Sequence, residues 1–203
     1  MTKIDYKKEY KPLYKAPDEP TLVDVPPLDY LMIAGQGDPN TAPIYSESVG
    51  TLYKLAYAIR FLMRDEHGLD FGVMPLEGLW WVEDMDQFTY ADKSNWFWTM
   101  LILQPKAVTA EVVKAAREKV AKKHNPPLLG QVRPGRLDEG RSSQVMHHGP
   151  YAAEKPTIDR LHAFIAAQGL TPHLKHHEIY LKDPTRCAPE KLLTILRHPV
   201  TEA

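Results

Sequence analysis

Apolar residues recur at three- and four-residue spacing through Val49, Leu52, Ala56, Ile59 and Met63, so one stripe of the segment from Ser46 to about Glu66 is continuously greasy. That period predicts an amphipathic helix lying on a core. Ser46 is placed to cap it, Glu47 suits its positive end, and Gly68 follows its last turn. The same spacing predicts a shorter helix behind a Thr109 cap, with Val112, Val113, Ala116 and Val120 along one side. A third, from about Glu154 to Gln168, carries Ile158, Leu161 and Ile165 and is closed by Gly169. Between the helices the pattern changes. "DYLMIAG" (Asp29 to Gly35), "FGVMP", "LWWVED", "NWFWTMLILQP" and "SSQVMHHG" (Ser142 to Gly149) read as strands rich in aromatic and branched residues. "LKHHEIYLKDP", Leu174 to Pro184, alternates like a strand as well. "PEKLLTILRH", opened by Pro189 and Glu190 and stopped by Pro199, reads as a short C-terminal helix.

Set in order, both halves give a strand, a glycine-containing turn, a long helix and further strand. The expected fold is therefore α+β: a tandem of duplicated β-α-β-β modules building antiparallel sheet with the helices on one face. Residues 1–27, rich in Lys, Tyr and Pro, predict an extended N-terminal arm over the surface. Residues 28–203 are expected to form one domain. Its first module spans about 28–105, a connecting helix about 109–123, and the second module about 128–200.

Composition narrows the function classes. Of 203 residues, 43% are hydrophobic and 25% charged, ordinary globular usage. A net charge of -1 supplies no field that would draw nucleic acid or an acidic membrane surface, so neither is expected as a partner. Cys187 is the sole cysteine, which excludes an intrachain disulfide and suits a reducing, cytoplasmic setting. No apolar run has membrane-spanning length.

The chemistry concentrates on two sheet faces. In the strand around "HHEIY", His176, Glu178 and Tyr180 share one side while Ile179 and Leu181 take the other. Desolvating an unpaired carboxylate costs several kcal/mol, so Glu178 must be solvated, paired, hydrogen-bonded or protonated. Whichever parity holds, "WFWTM" and "LWWV" put large aromatics on both sheet faces, where those away from the helices pack a second layer, meet a partner or line a pocket. Other patterns carry less. His176 and Glu178 are too few to close a metal site, and "GQG" lacks the third glycine of a nucleotide fingerprint. Cys187 sits beside Arg186 with no placed base. No metal site and no cofactor are assigned.

The run "HHEIYLKDPTRCAPEKLLTILRHPV", with "LYKLAYAIR", "PLEGLWW" and "WTMLILQP", resembles the GyrI-like small-molecule-binding family. More narrowly, it resembles the free-standing branch that includes cyclopropanoid cyclopropyl hydrolases, from about Glu19 to Val200. The resemblance implies a tandem of two β-α-β-β modules with pseudo-twofold symmetry, helices on one face of the antiparallel sheet and a ligand cleft on the other. It also implies a Glu at the cleft floor among aromatics, which falls on Glu178. Trp80 and Trp98 lie in matching motifs, and Tyr53 and Tyr57 in the matching helix. Met146, His148 and Tyr151, in the first strand and turn of the second half, complete the candidate ligand-binding set together with His176 and Tyr180. Two functions follow as expectations. One is hydrolytic detoxification of a hydrophobic, aromatic or strained-ring molecule, with Glu178 activating water. The alternative is a non-catalytic module that sequesters or senses lipophilic cations, with Glu178 pairing their charge.

Overall fold

The computed structural model describes residues 2–83 and 92–202; the end of the predicted "LWWVED" strand, at Asp84, lies outside them. In chain order the first elements are β1 (Thr2–Ile4), α1 (Tyr6–Glu9), α2 (Lys11–Tyr14), β2 (Thr21–Val25), β3 (Leu28–Gln36), α3 (Pro43–His67), β4 (Leu69–Phe71) and β5 (Leu76–Trp81). They are followed by β6 (Phe97–Leu103), α4 (Ala110–Lys123), β7 (Arg133–Leu137), β8 (Gly140–His148), α5 (Lys155–Ala167), β9 (Leu170–Pro172), β10 (His176–Tyr180) and β11 (Leu193–Glu202). The class is α+β, and the chain divides into two compact units. The first is Met1–Glu9, Leu28–Met74 and Trp80–Leu137; the second is Tyr10–Pro27, Pro75–Leu79 and Asp138–Ala203.

In the first unit, β3 runs antiparallel between β6 and β7, and α3 lies on β3 and β6 with α4 beside it. The apolar stripe of α3 is buried as its periodicity requires: Leu52, Leu55, Ala56, Ile59, Leu62 and Met63 all lie inside. The helix begins earlier than Ser46. Pro43 takes the first turn, where its missing N–H costs nothing, and Ala42 is the extended residue before it. Ser46 is already helical and its hydroxyl donates back to the Pro43 carbonyl at 3.0 Å. Gly68, at φ 66°, ends the helix by donating to Met63. Thr109 caps α4 as expected, accepting from the Val112 N–H. Strand β7 falls where the alternation predicted no element, because "RPGRL" has too few apolar residues to announce a strand.

Gly35 has a packing reason to be glycine. It sits opposite Trp98 in the β3–β6 register, and a β-carbon there would lie 2.1 Å from the Trp98 ring. Trp98 is fully buried, so its ring cannot swing away. Gly35→Ala is expected to cost about 1–3 kcal/mol by overpacking, read as a lowered urea midpoint with unchanged slope. An unchanged midpoint would show that the ring has room to move.

In the second unit the antiparallel order is β2-β8-β11-β10, with Leu76–Leu79 of β5 beyond β10 and β9 beside the end of β11. Helix α5 packs on β8 and β9. Two expectations are overturned here. The predicted C-terminal helix is helical only as a short turn over Pro189–Lys191, and the residues after it form β11, the longest strand. It is buried from Thr194 to Val200 because it is central, flanked on both edges and covered on both faces. Nor do residues 10–27 drape over the surface. Leu13, Tyr14, Ala16 and Val25 are buried, and β2 pairs with β8 from Thr21 to Val25.

Candidate functional site

Strand alternation and cross-strand register sort the side chains of the second unit onto two faces. Glu178 stands opposite Leu196, which stands opposite Val145; Tyr180 stands opposite Thr194 and then His147. Directly paired residues project to the same side. Glu178, Tyr180, His147, His176 and His198 therefore share one face, and His177, Arg197, Gln144, Met146 and His148 the other.

The Glu178 face is the one that bears α5. His147 Nδ1 meets the Thr157 hydroxyl of α5 at 3.0 Å, and His198 Nδ1 meets His162 of α5 at 3.3 Å. Glu178 is thus on the helix side of its sheet, not the helix-free side expected from the patterning. The physical reason is that the other side is already taken, by the N-terminal residues 10–14.

Glu178 is only 9% exposed, and its two neighbours on the strand hold it. The Tyr180 hydroxyl donates to Oε2 at 2.7 Å, and His176 Nε2 lies 3.4 Å from Oε1. The ring of Tyr151, in the short helical turn Tyr151–Ala153 ahead of α5, meets Tyr180 edge-on at 5.4 Å. Burial, then the charges of Glu154 and Glu178, push the Tyr151 hydroxyl above its usual range, so it stays a proton donor. Burial also lowers three histidines on this side of the sheet. It lowers His147, which donates from Nε2 to the Pro150 carbonyl, and lowers His162; His198 is pushed down to about 3 by burial and by His176 and His162 beside it.

Not all of the expected set gathers here. Glu178, His176, Tyr180 and Tyr151 do. Met146 and His148 stand on the opposite face, one and three residues out of phase; His148 pairs with Asp18 at 2.8 Å at the surface, and the Met146 N–H is bonded to Pro17. In the first unit, Trp98 is fully buried with its ring edge-on to Tyr45 of α3 and its indole N–H donating to Gly37; Trp80, 4% exposed, lies between Tyr45 and Trp96. These tryptophans pack under α3. Trp81 and Phe97 stack at 5.8 Å, 17° from parallel, and are half-buried. Tyr53 and Tyr57 form a ladder with Phe61 along α3 at four-residue spacing; Tyr57 is 45% exposed. A concavity of about 410 Å³ in the first unit, lined by Asp29, Gln104, Val113 and Arg136 among others, contains none of these residues. Among the described residues no group of three or more His, Cys, Asp or Glu is arranged to hold a metal ion. No described helix is long and apolar enough to cross a membrane.

The face behind Glu178 carries charges that the alternation did not anticipate. His177, fully buried, lies 2.9 Å from Glu139 through Nδ1 and 2.9 Å from Glu77 through Nε2. Arg197, directly opposite it on β11, reaches Glu139 at 3.3 Å. The carboxylates overcome burial and raise His177 to about 9, while His177 and then Arg197 hold Glu139 down at about 2 against its own burial. The signal for these groups was present: Glu77 in "PLEGLWW" and Arg197 in "TILRHPV" are charges set inside apolar runs.

A family model described as a GyrI-like small molecule binding domain matches residues 18–200. A crystal structure of an uncharacterized conserved protein from Listeria innocua is 40% identical, with TM-score 0.91, covering 98% of this chain and 100% of that one. Two structures described as hydrolases from Listeria innocua are 39% and 37% identical, with TM-scores 0.89 and 0.86 and the same coverage. The C-terminal domain of EcmrR, at 11% identity and TM-score 0.57 over 91% of this chain and 98% of that one, shares the fold. A comparison with curated proteins found no match.

Proposed function

Since this chain belongs to the GyrI-like small molecule binding domain family, we propose that it binds hydrophobic aromatic molecules at the Glu178 face of its second unit and hydrolyses a strained-ring, cyclopropanoid-like substrate there. The observation that carries the reading is Glu178 itself: a nearly buried carboxylate, bonded to Tyr180, approached by His176 and flanked by a hydroxyl that stays protonated. Two relatives at 39% and 37% identity described as hydrolases favour turnover over binding alone.

The chemistry needs two groups. A cyclopropane conjugated to a carbonyl is opened when water attacks a ring carbon. Glu178 takes the water proton, the new C–O bond forms, and the strained C–C bond breaks with its electron pair moving onto the carbonyl oxygen; the resulting enolate then takes up a proton and Glu178 gives up the one it gained, so that the net change is addition of one water. The Tyr151 hydroxyl is the donor proposed to stabilise that developing charge. The second reading, capture of a lipophilic cation without chemistry, is favoured by the same burial: it lowers His147, His162 and His198 and so disfavours competing positive charge at these three positions on the Glu178 side of the sheet. Neither nucleic acid nor a membrane is a proposed partner.

Product formation from a conjugated cyclopropanoid, followed over many equivalents, separates these readings. Glu178→Gln is expected to slow turnover about 10²-fold or more. Turnover that survives the substitution removes Glu178 from the mechanism, and stoichiometric binding without product selects the sequestering reading.

A further inference from the structure

The polar groups on the back of the Glu178 strand do not end within the sheet. Arg197 Nη2 donates to the Leu13 carbonyl at 2.7 Å and to Gln144 Oε1 at 3.0 Å; Gln144 Nε2 donates to the Pro12 carbonyl at 2.8 Å. The Tyr14 hydroxyl donates to Glu77 Oε1 at 2.6 Å. Three consecutive residues, Pro12 to Tyr14, thus complete the partners of three buried side chains that lie around 130 or more positions away or, for Glu77, 63. All of these groups belong to the second unit.

At the centre is an imidazole with nowhere to turn. Both His177 nitrogens face a carboxylate at 2.9 Å, and the residue has no exposed surface. A fully buried ring bonded to Glu139 through Nδ1 and lodged against Glu77 at Nε2 restricts the direction of its Cα–Cβ bond, and in a strand that direction dictates where the next side chain points on the other face. The next side chain is Glu178. Its own hold on the front face is light by comparison: one Tyr180 hydroxyl and a 3.4 Å approach of His176. A carboxylate that must act within a fraction of an ångström needs its backbone held from behind.

We propose that His177 is a positioning residue for Glu178, and that the N-terminal segment Tyr10–Val25 is a strap that completes the clamp, so that loosening the strap at Tyr14 displaces the Glu178 carboxylate on the opposite face. The proposal deepens the reading of Glu178 as the working base and rests on it for its purpose, although the coupling itself exists without any ligand. Because charged partners surround the clamp, removing one strap contact leaves a buried acceptor short of a donor, a penalty that falls on the strap and the sheet together.

The test uses the full chain without ligand. The side-chain carboxyl carbon of Glu178, assigned through its loss in Glu178→Gln, is followed by ¹³C NMR in wild type, Tyr14→Phe and His177→Gln. Amide exchange over residues 13–25 is measured in parallel. Tyr14→Phe keeps the ring and deletes one hydroxyl, so it folds where His177→Gln fails. Leu170→Ala, in β9 and outside the network, is the control for general loss of stability. The expected result is roughly tenfold faster exchange across the strap in Tyr14→Phe, with a shifted, broadened Glu178 signal that Leu170→Ala does not reproduce. A Glu178 signal that stays in place in Tyr14→Phe overturns the proposal, whether or not the strap exchanges faster. So does an equal displacement in Leu170→Ala. Failure of the hydrolase reading appears separately, as absence of product from wild type with this coupling intact.

Discussion

Arg197→Met is expected to lower stability by about 3–5 kcal/mol, the range for removing one partner of a buried ion pair. Methionine fills much of the space but returns none of the donors. Glu139 then keeps only His177, and the Leu13 carbonyl and Gln144 Oε1 lose the guanidinium that bridges them. All of these groups are inside: Arg197 is 1% exposed and Glu139 6%. For a chain of this size each kcal/mol moves the midpoint temperature by about 2–4 °C, so a drop on the order of 10 °C should be seen by calorimetry. Adding Glu139→Gln to Arg197→Met should recover part of the loss, because the second change removes the charge that the first one stranded. The two effects would then be far from additive. Simple additivity, or a drop below about 1 kcal/mol, would mean that water reaches these groups and the network is not the closed unit described here.

The same residues explain where sequence patterning succeeds and where it fails. Helices α3, α4 and α5 are legible because each buries a single stripe and ends on a local signal: the Thr109 side chain, Gly68 at φ 66°, Gly169 at φ 68°. These are short-range effects, written within a few residues of where they act. The parity of β10 is legible for the same reason, and it correctly put Glu178 with His176 and Tyr180. Strand β11 is not. Leu192, Leu193, Ile195 and Leu196 satisfy a helical stripe as well as they satisfy a strand buried on both faces, and periodicity cannot separate the two. What decides is tertiary: β8 on one edge, β10 on the other, α5 and the strap on the two faces.

The strap is hidden for a different reason. Its Lys- and Pro-rich composition reads as solvated, yet it is held by a few long-range bonds that composition does not report. Those bonds also decided which face of the sheet was left for Glu178. A pattern of alternation says that two faces exist; it does not say which one a distant segment will cover. For the same reason Met146 and His148, expected in the ligand-binding set, stand on the opposite side of β8 from His147, as the register with β11 shows.

The clamp and the histidine cluster together set a dome-shaped dependence of stability on pH, with its top near the ordinary histidine value of 6.5. On the alkaline side, His177 holds its proton up to about 9 in the folded chain and to 6.5 when unfolded. Its stabilisation is therefore complete below 6.5 and is lost as pH rises through 9. On the acid side, His198 refuses a proton until about 3 when folded but accepts one at 6.5 when unfolded, so the unfolded chain binds more protons over that interval and stability falls as pH drops. His147 and His162, lowered by burial, act in the same direction. Glu139 joins below its unfolded value of 4.5, its contribution being lost as pH falls through 2. Each site contributes a slope of up to about 1.4 kcal/mol per pH unit where only one state is protonated. Urea midpoints measured from pH 4 to 9 should therefore decline on both sides of 6.5. His177→Gln, though less stable throughout, should lose the alkaline decline between 6.5 and 9 and keep the acid one. An alkaline decline of undiminished slope in that variant would place the titrating group elsewhere and remove the buried imidazolium from the clamp.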